Sequence, residues 1–150
     1  MIGVLLRQEN AAAAAAITAV GWERVDDPFA RDIVLLWSPR ANIHLPAWEP
    51  VLKWMDQWEV AVPFRPYITQ ASLVGSEEER AATAKKIFDM RQPVYDSRVV
   101  VIRTCPSTRK LLRAWTQEMQ DDGDDDLAFL RAVWQVKPLL LAMPTGWVKS

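Results

Sequence analysis

The sequence predicts one α/β domain over residues 1–150, built on a mixed, mostly parallel sheet flanked by helices. Three observations carry that reading. The runs Ile33–Leu36 and Val99–Ile102 are continuously apolar, the pattern of strands buried on both faces. Stretches with helical spacing of apolar residues alternate with such runs along most of the chain. Half of the residues are hydrophobic and a quarter charged, with no internal repeat and no long linker, as in a globular domain of ordinary size.

Each element has its own local reason. Ile2–Leu6 is a short apolar strand. Asn10 then caps a helix through Ala11–Ala16 to about Val20, because alanine has the highest helix propensity and Ile17 and Val20 extend an apolar face. Asp26, Asp27 and Pro28 punctuate the chain before a strand over Asp32–Trp37, which Ser38 and Pro39 end. Pro50 suits the first turn of a helix with Val51, Trp54, Met55 and Trp58 on one core-facing stripe. Val60–Phe64 returns as a strand, stopped by the Pro63–Pro66 segment.

Tyr67–Gly75 reads as a loop. Ser76 and Glu79 form a capping-box pattern that opens a helix to about Met90, with Glu77–Glu79 at its start and Lys85 and Lys86 near its end. Arg98–Arg103 is a further strand. Ser107, after Pro106, is the expected cap of a helix carrying Leu111, Leu112, Trp115 and Met119. The acidic run Asp121–Asp126 leads into a helix with Leu127, Leu130, Val133 and Trp134. Pro138 closes it, and Leu139–Met143 is the last strand.

Composition narrows the functional classes. The net charge of −1 gives no global attraction for nucleic acid, and the basic residues Arg98, Arg103, Arg109, Lys110 and Arg113 are offset by Asp121–Asp126. A single cysteine, Cys105, excludes an internal disulfide and a multi-cysteine zinc site. The single histidine, His44, lies in no triad-like motif. The apolar stretch Met1–Leu6 is too short for a secretory signal, and Arg7, Gln8 and Glu9 follow it at once. No run is long enough to span a membrane, so the expected location is cytoplasmic, without membrane association. Eight tryptophans are the compositional oddity. Trp54, Trp58, Trp115 and Trp134 fall at helix-core spacing, which leaves Trp37, Trp48 and Trp147 as candidate ligand or protein-contact residues.

The order of segments from about Asp32 to Trp147 is similar to the C-terminal half of GT-A nucleotide-diphospho-sugar glycosyltransferases. The resemblance rests on Ile33–Ile43, Ala61–Arg65, Tyr95–Pro106, Leu111–Trp115, Asp124–Leu130 and Leu141–Pro144. It implies a truncated GT-A, Rossmann-like domain and a nucleotide sugar or glycan as ligand. In that family an Asp-x-Asp motif at the end of an apolar strand places a divalent metal against the diphosphate; here Ser38 and Arg40 stand at those positions. No metal or other cofactor is therefore expected, and Arg40 can contact phosphate directly through its forked donors. The resemblance further implies Ser38, Arg40 and Asn42 as ligand contacts at the former metal turn, Asp96 and Ser97 near the acceptor, and Asp125 as the catalytic carboxylate. Ser97-Arg98 departs from a family Ser-Gly pair, and only about thirty residues precede the Asp32 strand. These departures point to a degenerate transferase. The alternative is a noncatalytic protein-interaction module, an accessory protein of a bacterium or phage, presenting tryptophans on the same scaffold.

Overall fold

A computed structural model describes residues 2–66, 70–119 and 124–148. The sheet has six strands: β1 (Gly3–Leu6), β2 (Glu23–Arg24), β3 (Ile33–Trp37), β4 (Val60–Pro63), β5 (Val99–Arg103) and β6 (Leu140–Met143). Their spatial order is β2-β1-β3-β5-β4-β6. The β1–β2, β1–β3 and β4–β6 pairs are parallel, whereas β5 runs antiparallel to both neighbours, Val34 facing Ile102 and Val60 facing Ile102. The mixed, mostly parallel sheet of the sequence reading is the sheet observed.

Two helical layers cover it. Strand residues alternate with a period of two, so Leu35, Trp37, Ala61, Val99 and Val101 point to one face and Val34, Leu36, Val60, Val62, Val100 and Ile102 to the other. The first face packs against α1 (Ala11–Ala19) through Ala13 and Ile17, and against α2 (Glu49–Trp54) through Val51 and Leu52. The second packs against α4 (Pro106–Glu118) and α5 (Asp125–Val136) through Leu111, Ala114, Trp115, Ala128 and Phe129. Outside α5 lies α3 (Glu77–Ala84), and a third apolar cluster of Ala71, Val74, Ile87, Val94, Leu127 and Leu130 fills this region. Arg131 of α5 ties these helices together from a nearly buried position. It donates to Glu118 at 2.8 Å, to Glu79 at 3.1 Å and to the Thr83 hydroxyl at 2.8 Å.

The local chemistry refines several sequence expectations. Asn10 caps α1, its side chain accepting the Ala13 N–H at 2.9 Å, and Gly21 takes a positive φ of 76° just past the helix end. The two-residue β2 has no run long enough to announce it. Ser76 accepts the Glu79 N–H at 3.1 Å, but the Glu79 carboxylate turns to Arg131 instead of closing a capping box. That helix ends at Ala84, not Met90, because Ile87 turns into the third cluster while Phe88 is left 92% exposed. Cys105, not Ser107, is the cap residue of α4, and its N–H donates to Thr108 at 3.0 Å. Within the predicted loop Tyr67–Gly75, Ala71–Leu73 form a 3₁₀ turn; residues 67–69 lie outside the described residues, as do 121–123 of the acidic run.

The tryptophans sort differently from their spacing. Trp48 is fully buried and packs edge-to-face on Trp147 at 5.7 Å, and Trp37 is buried with its indole N–H donating to the Ala41 carbonyl at 3.0 Å. Neither can anchor a partner from the surface. Trp54, expected in the core, is 47% exposed, because α2 ends there and its apolar face is carried by Val51 and Leu52. No helix among the described residues is long and apolar enough to cross a membrane.

Candidate functional site

From β1 the chain crosses through α1 to β2 on one side, then returns to place β3 on the other side of β1. This makes a topological switch point between β1 and β3. In open α/β sheets the loops leaving the two strands at such a point diverge, and the crevice beyond their carboxyl ends is the usual ligand site. A cleft of about 820 Å³ occupies this edge. Arg7 and Gln8 follow β1, Ser38 and Arg40 follow β3, and Arg65 and Pro66 follow β4. Because β5 is antiparallel, its entry residues Asp96, Ser97 and Arg98 come to the same edge. Asp124, Asp125 and Asp126 arrive from the start of α5.

Five of the six residues singled out from the sequence thus share one cleft: Ser38, Arg40, Asp96, Ser97 and Asp125. Asn42 is exposed and does not line it, since the turn after Pro39 carries the chain past the rim. Three further arginines, Arg7, Arg65 and Arg98, and two carboxylates, Asp124 and Asp126, complete the polar wall. An arginine just past a strand looks the same in sequence whether it faces solvent or a cleft. Only the common edge of β1, β4 and β5 reveals these three as neighbours.

Most of the carboxylates already have partners. Asp96 is buried; it receives two hydrogen bonds from the Arg98 guanidinium at 2.9 and 2.7 Å, which hold the Arg98 pKa above its ordinary value. Asp125 takes a forked pair from Arg7 at 3.0 and 3.2 Å, and Arg7 also donates to the Ser97 carbonyl at 3.1 Å. Asp124 caps α5 by accepting the Leu127 N–H at 3.0 Å. Arg65 lies 3.3 Å from Asp126 and 3.9 Å from Asp124. Its Nη1 nevertheless has no hydrogen-bond partner among the described residues. Arg40 is exposed on the rim, and among the described residues it makes no ion pair.

Ser97 and Asp126 form the most perturbed part of the site. The Ser97 N–H donates to Asp126 at 2.8 Å, and its hydroxyl lies 2.7 Å from Asp125 and 2.5 Å from Asp126. One hydroxyl proton can serve only one of those two oxygens. Burial favours the protonated Asp126 carboxyl, pushing it up to about 6 against the lowering effect of the Ser97 hydrogen bonds. A carboxylate of this pKa is suited to exchanging a proton with a bound hydroxyl near neutral pH. Asp125, the carboxylate chosen from the sequence, is instead fixed as the partner of Arg7.

No family model matches this chain, and no curated protein or solved structure matches it.

The metal site of the GT-A pattern does not fit these residues. At the turn after β3, Arg40 repels a cation, and Ser38 offers only a neutral hydroxyl. The carboxylates across the cleft are engaged with arginines, with Ser97 or with a helix cap. Among the described residues, no group of three or more acidic, histidine or cysteine side chains is arranged to hold a metal ion.

Proposed function

We propose that this chain is a glycosyltransferase-like protein that binds a nucleotide-diphospho-sugar in the cleft at the carboxyl edge of its sheet. One observation carries the reading: the exposed Arg40, which makes no ion pair among the described residues, lines the same 820 Å³ cleft as Arg65 and a Ser97–Asp126 pair. Arginine forks recognise phosphate oxygens, and hydroxyl–carboxylate pairs recognise sugar hydroxyls. A ligand carrying both groups matches both walls. Its diphosphate charge is met by guanidinium groups instead of a metal, and Asp126 is the group able to accept a proton from a bound hydroxyl.

The test is a thermal-shift panel of uridine, guanosine, cytidine and thymidine diphosphates and their sugars, with and without Mn²⁺. Binding to the folded state alone raises the melting temperature. A nucleotide-selective rise that does not require Mn²⁺ is expected; no rise with any member of the panel would contradict the reading.

A second reading, a protein-interaction module, is favoured by Phe88 and Leu73, respectively 92% and 70% exposed. They lie in segments joined by the Ser72 N–H donating to the Met90 carbonyl at 2.9 Å. A strict monomer that captures no partner through this surface, and loses nothing on Phe88→Ser, would count against it.

A further inference from the structure

A second cavity of about 390 Å³ adjoins the polar cleft, and Arg7, Met119 and Asp125 line both. Its other walls are mostly apolar: Leu5 of β1, Leu36 of β3, and Leu112 and Trp115 of α4. The cavity exists because α4 lies over the centre of the sheet and leaves the β1 side of that face to Pro28 and the end of the helix. The Arg7–Asp125 pair stands between the two spaces, with the Arg7 guanidinium 4.9 Å over the Trp115 ring. That stacking and the forked pairing hold the divider in place from both sides.

We propose that this cavity is the second compartment of the same site and takes an uncharged alkyl or aryl group, covalently joined to the anionic or sugar part held in the cleft. The ligand class is then an amphiphile such as an alkyl- or aryl-linked phosphosugar, a second ligand of the cleft besides the nucleotide sugar proposed above, and the inference rests on the cleft being a ligand site. Of the polar side-chain groups lining the cavity, only the Trp115 indole N–H lacks a partner among the described residues, and that atom is buried away from the open space. Arg7 and Asp125 satisfy each other, and the Thr116 hydroxyl donates to the Leu112 carbonyl at 2.9 Å. A nucleobase placed there would lose water from its donors and acceptors without replacement, a cost an alkyl or aryl group does not carry. Continuity with the cleft sets the occupant: a free hydrocarbon would leave the cleft's cationic wall unused, and a purely polar sugar would leave the half-buried Leu5 and Leu112 wet.

The experiment is a calorimetric titration of inorganic phosphate, ethyl, butyl and phenyl phosphate, and uridine monophosphate. It is run on the full chain and on a Thr116→Phe variant, which narrows the cavity from an exposed helix position that does not itself line the cleft. Burial of each methylene strengthens binding about fourfold, so butyl phosphate, with two more methylenes, is expected to bind roughly fifteenfold tighter than ethyl phosphate. That gain disappears in Thr116→Phe, while inorganic phosphate binds both proteins alike. Equal affinity across the alkyl series, or a gain that survives in Thr116→Phe, overturns the second compartment while leaving the cleft standing. A Thr116-sensitive gain for uridine monophosphate that the butyl ester lacks overturns the alkyl assignment. Absence of binding by every phosphate overturns both the cleft and the compartment.

Discussion

Replacing Asp126 with asparagine should stabilise this protein at neutral pH and fail to do so in acid. The carboxyl titrates at about 6 in the folded chain against an ordinary value of 3.8. Between those two values the folded chain holds a proton that the unfolded chain has released, so stability falls as pH rises through this window. Above it, the ionised form costs the fold about 3 kcal/mol relative to a solvated aspartate. Asparagine carries no charge at any pH and can still accept the Ser97 N–H. It gives up the Arg65 contact at 3.3 Å, which reduces the gain. At pH 7.5 the variant should therefore be about 1–3 kcal/mol more stable, with each kcal/mol raising Tm by roughly 2–4 °C. At pH 4 the difference should vanish or reverse. Urea denaturation of both proteins at the two pH values measures it. An equal difference at both, or a variant less stable at pH 7.5 than at pH 4 relative to the parent, would refute the burial argument. A carboxylate kept at such a cost beside an arginine-lined cleft is the signature expected of a group retained for binding or chemistry.

Other parts of the structure make independent predictions. Arg131→Met removes the cation shared by Glu118 and Glu79, and loss of one partner from so buried a network should cost roughly 3–5 kcal/mol in chemical denaturation; a cost below about 1 kcal/mol would mean that the network is solvated. Asn10→Ala deletes the acceptor for the Ala13 N–H and should cost about 1 kcal/mol, with Asn10→Asp recovering most of it. Ser97→Ala breaks the hydroxyl bridge between Asp125 and Asp126, so the Asp126 pKa, followed by carboxyl-carbon NMR, should rise further. An unchanged pKa there would show that the hydroxyl is not shared.

The sheet was legible because its central strands are buried on both faces. Ile33–Trp37 and Val99–Arg103 have no room for polar residues, and their runs announce them. β2 was not legible because two ladder positions leave no periodicity to detect. Sequence spacing extends α3 too far, because Ile87 and Met90 continue its apolar pattern although the helix has already ended at Ala84 with Lys85 as its cap. Trp37 and Trp48 show the same limit. Sequence spacing separates helix stripes from loops, but only packing decides which indole is enclosed.

Ser38, Asp96 and Ser97 are implied by the family resemblance alone, and they share a cleft for a simple reason: the residue after one strand and those before its antiparallel neighbour fall at the same sheet edge. The arginines opposite could not be paired from sequence, because Arg7 after β1 and Asp125 at the start of α5 meet across most of the chain only once the helix is packed on the sheet. Nor could Asp126 be told from its neighbours in the acidic run. Its altered titration comes from burial against Ser97, a contact between α5 and the entry to β5. The basic residues considered for nucleic acid were likewise indistinguishable until placed: Arg98 pairs with Asp96, Arg103 donates to the Asp56 carbonyl, and Arg109 stacks on Phe29.

On the proposed reading, the exposed Arg40 guanidinium at the carboxyl edge takes a phosphate of a nucleotide sugar. Calorimetric titration of the nucleotide sugar selected by the thermal panel, into the parent and into Arg40→Ala, tests it most directly. Arg40 makes no ion pair among the described residues, so its removal should leave Tm within about 1 °C. Affinity should drop at least about tenfold, as expected for one lost charge-assisted contact, with a weaker dependence on salt. Unchanged affinity and unchanged salt dependence in Arg40→Ala would contradict the claim.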